Sequence, residues 1–279
     1  MVIALVVVSG LIAGGFGAWR LFTALLPVSL PPGPECDARA GGKVTLTPEQ
    51  MGNAATIAAI GVRRGLPVRA VQVALVTALQ ESKLVNLSGG DRDSVGLFQQ
   101  RPSQGWGRAD QLTDAHFAIT TFYTALTKVP AWKDLSVPEA AQQVQHSGYP
   151  DAYVQWVDRA DILARALATQ PDGAVSCTGL GTPQRHGAAA ADAVIAGLRA
   201  DWGQTASTPR PGTMEMAVPA ADPVAAWRYA SWLVAHAAED GLDQVQVAGM
   251  SWTSKGGRWN GPTTAPGPVT VTFRVHPDP

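Results

Sequence analysis

Apolar residues first run unbroken along this chain, from Val2 to Trp19 (VIALVVVSGLIAGGFGAW), with no charge before Arg20. A run close to the ~20 residues that cross a bilayer predicts a transmembrane helix within residues 1–26. No Lys or Arg precedes it, so the basic start of a cleaved signal peptide is missing and an uncleaved anchor is expected. Residues 27–45 mix Pro and Gly with few apolar positions and predict an extended spacer.

Helical periodicity begins at Thr47, an N-cap followed by Pro48 at the first helical position and Gln50 at the capping-box position. Ile57, Ile60 and Val62 carry that helix toward Gly65, and Pro67 opens the next, VRAVQVALVTALQES. Further helical signals cover residues 113–129, 136–147 and 150–168, the last with Tyr153, Trp156, Ala160, Leu163 and Leu167 on one stripe. Between the second and third helices, NLSGGDRDSVGLFQQRPSQGWG has no helical period and predicts a long loop, a feature usually kept for function. After Cys177 the pattern predicts helices near 187–202 and 223–239, then strands near 244–252 and 269–276. The expectation is a mainly α domain over 46–177 and a small α+β domain over 178–279, which a chain of 279 residues is long enough to hold.

A formal net charge of -1 and a pI near 6.5 leave no basic field to hold nucleic acid by counterion release. A single candidate span excludes a transporter pathway, which needs several. His116, His146, His186, His236 and His276 are dispersed, with no H-E-x-x-H and no Cys/His cluster, so neither metal nor cofactor is expected. Cys36 and Cys177 lie just outside the ends of the central domain, where one disulfide would tie its entry to its exit in an oxidising compartment. Two unrelated buried thiols are the alternative.

Candidate chemistry centres on Glu81, in the last turn of an apolar helix just before the polar loop. A carboxyl half in the core and half in a cleft is disfavoured in its charged form, as a general acid near neutral pH must be. A helix-end glutamate paired with Lys or Arg is the bland alternative. Asp91 and Asp93, opposite in the loop, are candidate bases, although Gly90, Asp91 and Ser94 are also ordinary turn formers. Asp93 divides evenly between the two roles, and Asp91 favours the turn. Arg92, Arg101 and Trp106 are candidates for lining a groove beside it.

Glu81-Ser82 followed by Gly96-Leu97-Phe98-Gln99 resembles the first two motifs of the lytic transglycosylase and goose-type lysozyme superfamily, over residues 46–168. The resemblance implies a lysozyme-like fold in which Glu81 protonates the β-1,4 bond between N-acetylmuramic acid and N-acetylglucosamine of peptidoglycan. Ser82, Gln99, Gln100 and Tyr153 are then expected to contact substrate, and Phe98 to pack beneath the loop. The longer block, with AAQQVQHSGYPDAY, resembles membrane-anchored actinobacterial proteins sharing this domain. Val144 and Gln145 stand where transglycosylases carry the Tyr-Asn of their third motif, so the usual tyrosine contact to the acid is missing unless Tyr149 or Tyr153 supplies it. The segment from Ala225 to Trp259 faintly resembles carboxypeptidase-like zinc domains, without their upstream His and Asp ligands. A binding or spacing module fits it better.

These expectations add up to an extracytoplasmic peptidoglycan glycosidase held to the cytoplasmic membrane by its N-terminal helix. The competing expectation is a non-catalytic module that binds glycan strands or an envelope protein. An inverting hydrolase needs a second carboxylate, whereas a transglycosylase lets the substrate's own groups complete the reaction.

Overall fold

Two short strands, β1 (Glu35–Arg39) and β2 (Lys43–Leu46), bracket a turn at Gly41, whose φ of 73° is a left-handed value that glycine adopts without cost. Both alternate buried with exposed positions, so Cys36, Ala38, Val44 and Leu46 enter the core while Asp37 and Lys43 stay outside. β3 (Val175–Thr178) adds on the other side of β1 to give an antiparallel sheet of order β2-β1-β3. Cys36 lies directly opposite Cys177 in this register, and the two are joined by a buried disulfide. The computed structural model describes residues 33–169, 172–210, 212–261 and 270–278.

Helix α1 (Pro48–Arg63) starts as its sequence dictates: Thr47 Oγ1 accepts from Gln50 N, and Gln50 Oε1 accepts from Thr47 N at 2.9 Å. Helix α2 (Val68–Ser82) packs on α1 and buries Val71, Ala74, Leu75, Ala78 and Leu79. Each such Leu or Val contributes ~1.5–3 kcal/mol relative to exposure. Asp114 caps α3 (Ala115–Leu126), and Ser136 forms a second capping box with Glu139 at α4 (Val137–Gln145). The stripe from Tyr153 to Leu167 is not one helix. It is a 3-10 segment (Pro150–Trp156), helix α5 (Val157–Ala164) and a π-helical turn (Arg165–Thr169).

Beyond Cys177, α6 (Gly187–Trp202) and α7 (Pro223–Ala235) accompany a second antiparallel sheet of order β4-β7-β5-β6, formed by Glu215–Pro219, Leu242–Val247, Met250–Thr253 and Thr270–Val275 as β4 to β7. Helix α7 contacts β5 and β7 on one side and α1 and β3 on the other. The segments before and after Cys177 are thus packed together, and residues Pro34–Pro279 form one compact unit.

Two expectations are corrected here. The fold is not a mainly α domain with sheet confined to the C-terminal part: β1 and β2 fall largely in the stretch read as spacer, and with β3 they form a sheet against the central helices. A transmembrane helix, and with it a single-pass placement in the cytoplasmic membrane, is likewise overturned for the described fold, where no helix is long and apolar enough to cross a bilayer. The longest described helices, α1 and α6, have 16 residues each. At 1.5 Å per residue they reach about 24 Å, short of a ~30 Å hydrocarbon core. Val2–Trp19, on which that expectation rested, lies outside the described residues.

Candidate active site

Helix α2 ends abruptly at Ser82, because Lys83 and Leu84 both take left-handed backbone, at φ 57° and 64°. Such a pair is unfavourable for residues with a Cβ and persists only where neighbours fix it. Two amides of α1 do so: Gln50 Nε2 donates to Lys83 O and Asn53 Nδ2 to Leu84 O, each at 2.8 Å. Glu81 is thereby held on the final turn, partly buried, with the chain leading away from it into the loop.

The loop is fastened back beneath the helix end. Ser82 Oγ donates to Leu97 O at 2.7 Å, Gly96 N donates to Leu87 O, and Val95 and Gln100 exchange backbone bonds. Gly96 has φ 79°, and a Cβ there would overlap the Leu112 carbonyl. Phe98 stacks on Phe122 with ring centroids 4.4 Å apart, setting the G-L-F-Q segment on the core.

Glu81 Oε1 accepts a 2.7 Å hydrogen bond from the Tyr153 hydroxyl, which the 3-10 segment aims at it from a fully buried position. Burial pushes the Glu81 carboxyl up from the ordinary value of 4.5, outweighing the Tyr153 hydroxyl, the Gln145 amide and the positive charge of Lys83, which all favour its charged form. Burial, and then the nearby Glu81 charge, push Tyr153 upward too, so its hydroxyl stays a donor. Gln145 Nε2 also donates to Phe98 O at 2.7 Å, which places one amide between the loop and the carboxyl. Lys83 lies over the Trp156 ring at 4.4 Å, and Trp156 Nε1 donates to Gln80 Oε1.

Asp93 has a different setting. Its carboxylate accepts from Arg101 Nε and from Ser103 N, both at 2.7 Å, and the Arg101 bond, then those of Ser103, hold it far below the ordinary carboxylate range. Both oxygens are committed to holding the loop, which leaves Asp93 a poor proton acceptor. Asp91 sits in the turn, its carbonyl accepting from Ser94 N and Oγ, while its carboxylate faces solvent 3.9 Å from Arg92.

Of the residues expected to contact substrate, Tyr153 alone meets Glu81. The Ser82 hydroxyl turns inward to the loop, and the Gln99 amide bonds Ser94 Oγ and Gly96 O within it. Gln100 is buried, with neither amide atom hydrogen-bonded. Trp106 packs partly buried against the core. Sequence reasoning missed Gln50, Asn53 and Gln145. Gln145 alone carried a signal, since it occupies the place of the third-motif Asn. Among the described residues, no group of three or more His, Cys, Asp or Glu side chains is placed to hold a metal ion. Neither a protein-family model nor a curated protein matches this chain.

Proposed function

We propose that this protein cleaves the β-1,4 bond between N-acetylmuramic acid and N-acetylglucosamine in peptidoglycan, with Glu81 as the acid. The observation that carries the reading is a half-buried carboxyl raised in pKa yet held by a hydroxyl donor at 2.7 Å, beside a loop fastened beneath the same helix end. Protonated Glu81 gives its proton to the glycosidic oxygen as that bond breaks. The Tyr153 hydroxyl and Gln145 amide then stabilise the carboxylate left behind.

The commitment of Asp93 to Arg101 and Ser103 favours completion without a second protein carboxylate. In that case the C6 hydroxyl of the muramic acid attacks its own anomeric carbon, and its proton returns to Glu81. The bond is broken with no water consumed and the acid is regenerated, leaving a 1,6-anhydro end. The purified chain and a Glu81→Gln control, incubated with peptidoglycan, are compared by mass spectrometry of the released muropeptides. Anhydro ends from the wild type alone are expected. Reducing ends would return the base role to a carboxylate, and no release beyond the control would leave a glycan- or protein-binding module.

A further inference from the structure

Far in sequence from Glu81, four helices meet at one carboxylate. Asp201, in the last turn of α6, is 1% exposed. Its Oδ1 lies 2.5 Å from Nε2 of His116, in the first turn of α3. Its Oδ2 accepts from the hydroxyl of Thr56 on α1 at 2.8 Å and from Nε1 of Trp232 on α7 at 2.6 Å. We propose that Asp201 and His116 form a proton-controlled latch that fastens the segment after Cys177 onto the segment that carries Glu81.

His236 closes the cluster from the end of α7. Its Nε2 lies 3.2 Å from Thr56 Oγ1 and its Nδ1 2.9 Å from the Trp232 carbonyl, and its ring stacks on the Trp232 indole at 4.1 Å between centroids. The proton that matters to the latch is the one on His116: a neutral His116 loses the charge attraction to Asp201.

The surrounding charges are few. Asp114 at the start of α3 favours the His116 cation, and Arg63 on α1 opposes it. Asp240 faces both Asp201 and His236, and Arg185 bonds its carboxylate at 2.8 Å. Glu239 pairs with the same Arg185 at 3.6 Å. Burial alone would raise Asp201, but the close His116 ring, the charges of His236 and His116, and the Trp232 bond hold it below 3.8. The close Asp201 carboxylate raises His116 above 6.5 against the opposing effect of burial.

The signs follow by linkage. Stability from His116 is fully present below 6.5 and is lost as pH rises through its raised folded value. That from Asp201 is present above 3.8 and is lost as pH falls through its lowered value. The latch is thus tightest between the two ordinary values, 3.8 and 6.5, and slackens as pH rises through the raised value of His116. It forms part of the wall of a cavity of about 580 Å³, lined by Gly52, Asn53, Asn86, His116, His236 and Glu239.

Two measurements on the full chain test this. Ring nitrogen-15 spectra should show both nitrogens of His116 protonated at pH 6, and one bare nitrogen there would overturn the proposal without any substitution. Thermal melting from pH 5 to pH 9 should show the wild type losing about 2–4 °C on the alkaline side. An Asp201→Asn variant should melt lower at pH 5 and lack that loss. A wild type as flat as the variant, or a variant with the wild-type slope, would contradict the latch. Peptidoglycan cleavage plays no part in either readout.

Discussion

Glu81 and Asp201 are both carboxyl groups withdrawn from water, and they shift in opposite directions. Burial dominates at Glu81, where one hydroxyl, one amide and a neighbouring ammonium do not offset it, so its pKa is raised above 4.5. Asp201 is the more deeply buried, yet two imidazoles, an indole and a hydroxyl surround it and it stays ionised. Asp93, at the surface, shows that burial is not required: one guanidinium and one backbone N–H hold its charge. Partners decide the outcome. A carboxyl with few donors is available to give up a proton, and one with many holds structure together.

The strongest way to break this comparison is to remove the Glu81 proton. Glu81→Gln should lower peptidoglycan cleavage by about 10²–10⁴-fold, as loss of a general acid does. The same substitution should stabilise the fold at neutral pH. A folded carboxyl raised above 4.5 makes stability fall as pH climbs from 4.5 through the raised value, and Gln has no such ionisation. Melting curves at pH 7 check this, and a Glu81→Gln protein that melts below the wild type would count against the raised value.

The next largest effect concerns the frame that brings the two segments together. The Cys36–Cys177 bond closes a loop of sequence separation 141, and its loss as the double Ser substitution should cost about 5 kcal/mol in the chain-entropy account. Denaturant unfolding measures it. Because the bond joins the entry of the central segment to its exit, the Asp201 contacts should weaken with it, read as earlier hydrogen exchange in α6 and α7.

Tyr153→Phe sharpens the contrast at the acid itself. Removing the 2.7 Å donor leaves burial less opposed, so the Glu81 pKa rises further and the alkaline limb of the activity profile moves up. Cleavage should fall about tenfold as the Glu81 carboxylate left after proton transfer loses a stabilising bond. The smallest effect is expected at Asp93. Asp93→Asn should loosen the loop yet leave cleavage within about threefold, and a loss comparable to that of Glu81→Gln would make Asp93 a base.

What was legible in the sequence was local. Thr47, Pro48 and Gln50 predict the start of α1 because a capping box is complete within a few residues, and the Glu81 to Gln99 block points to the helix end and its loop. The strands Glu35–Arg39 and Lys43–Leu46 were hidden, because four or five alternating residues between Gly and Pro read as spacer until β3 arrives to pair with them. The Tyr153 stripe has helical spacing, yet the chain forms a 3-10 segment there, and that turn aims the hydroxyl at Glu81. Asp201 carried no sequence signal at all. Its meaning depends on Thr56, His116 and Trp232 arriving from three other helices, and only tertiary packing supplies that.

The central claim is that Glu81 holds its proton where an ordinary glutamate does not, and the direct test is a carbon-13 titration of its side-chain carboxyl, assigned by difference against Glu81→Gln. A midpoint clearly above 4.5 in the wild type, rising further in Tyr153→Phe, is the predicted result. A midpoint at or below 4.5 would contradict the account, because Glu81 would then be ionised like Asp93 and Asp201 and could not serve as the acid.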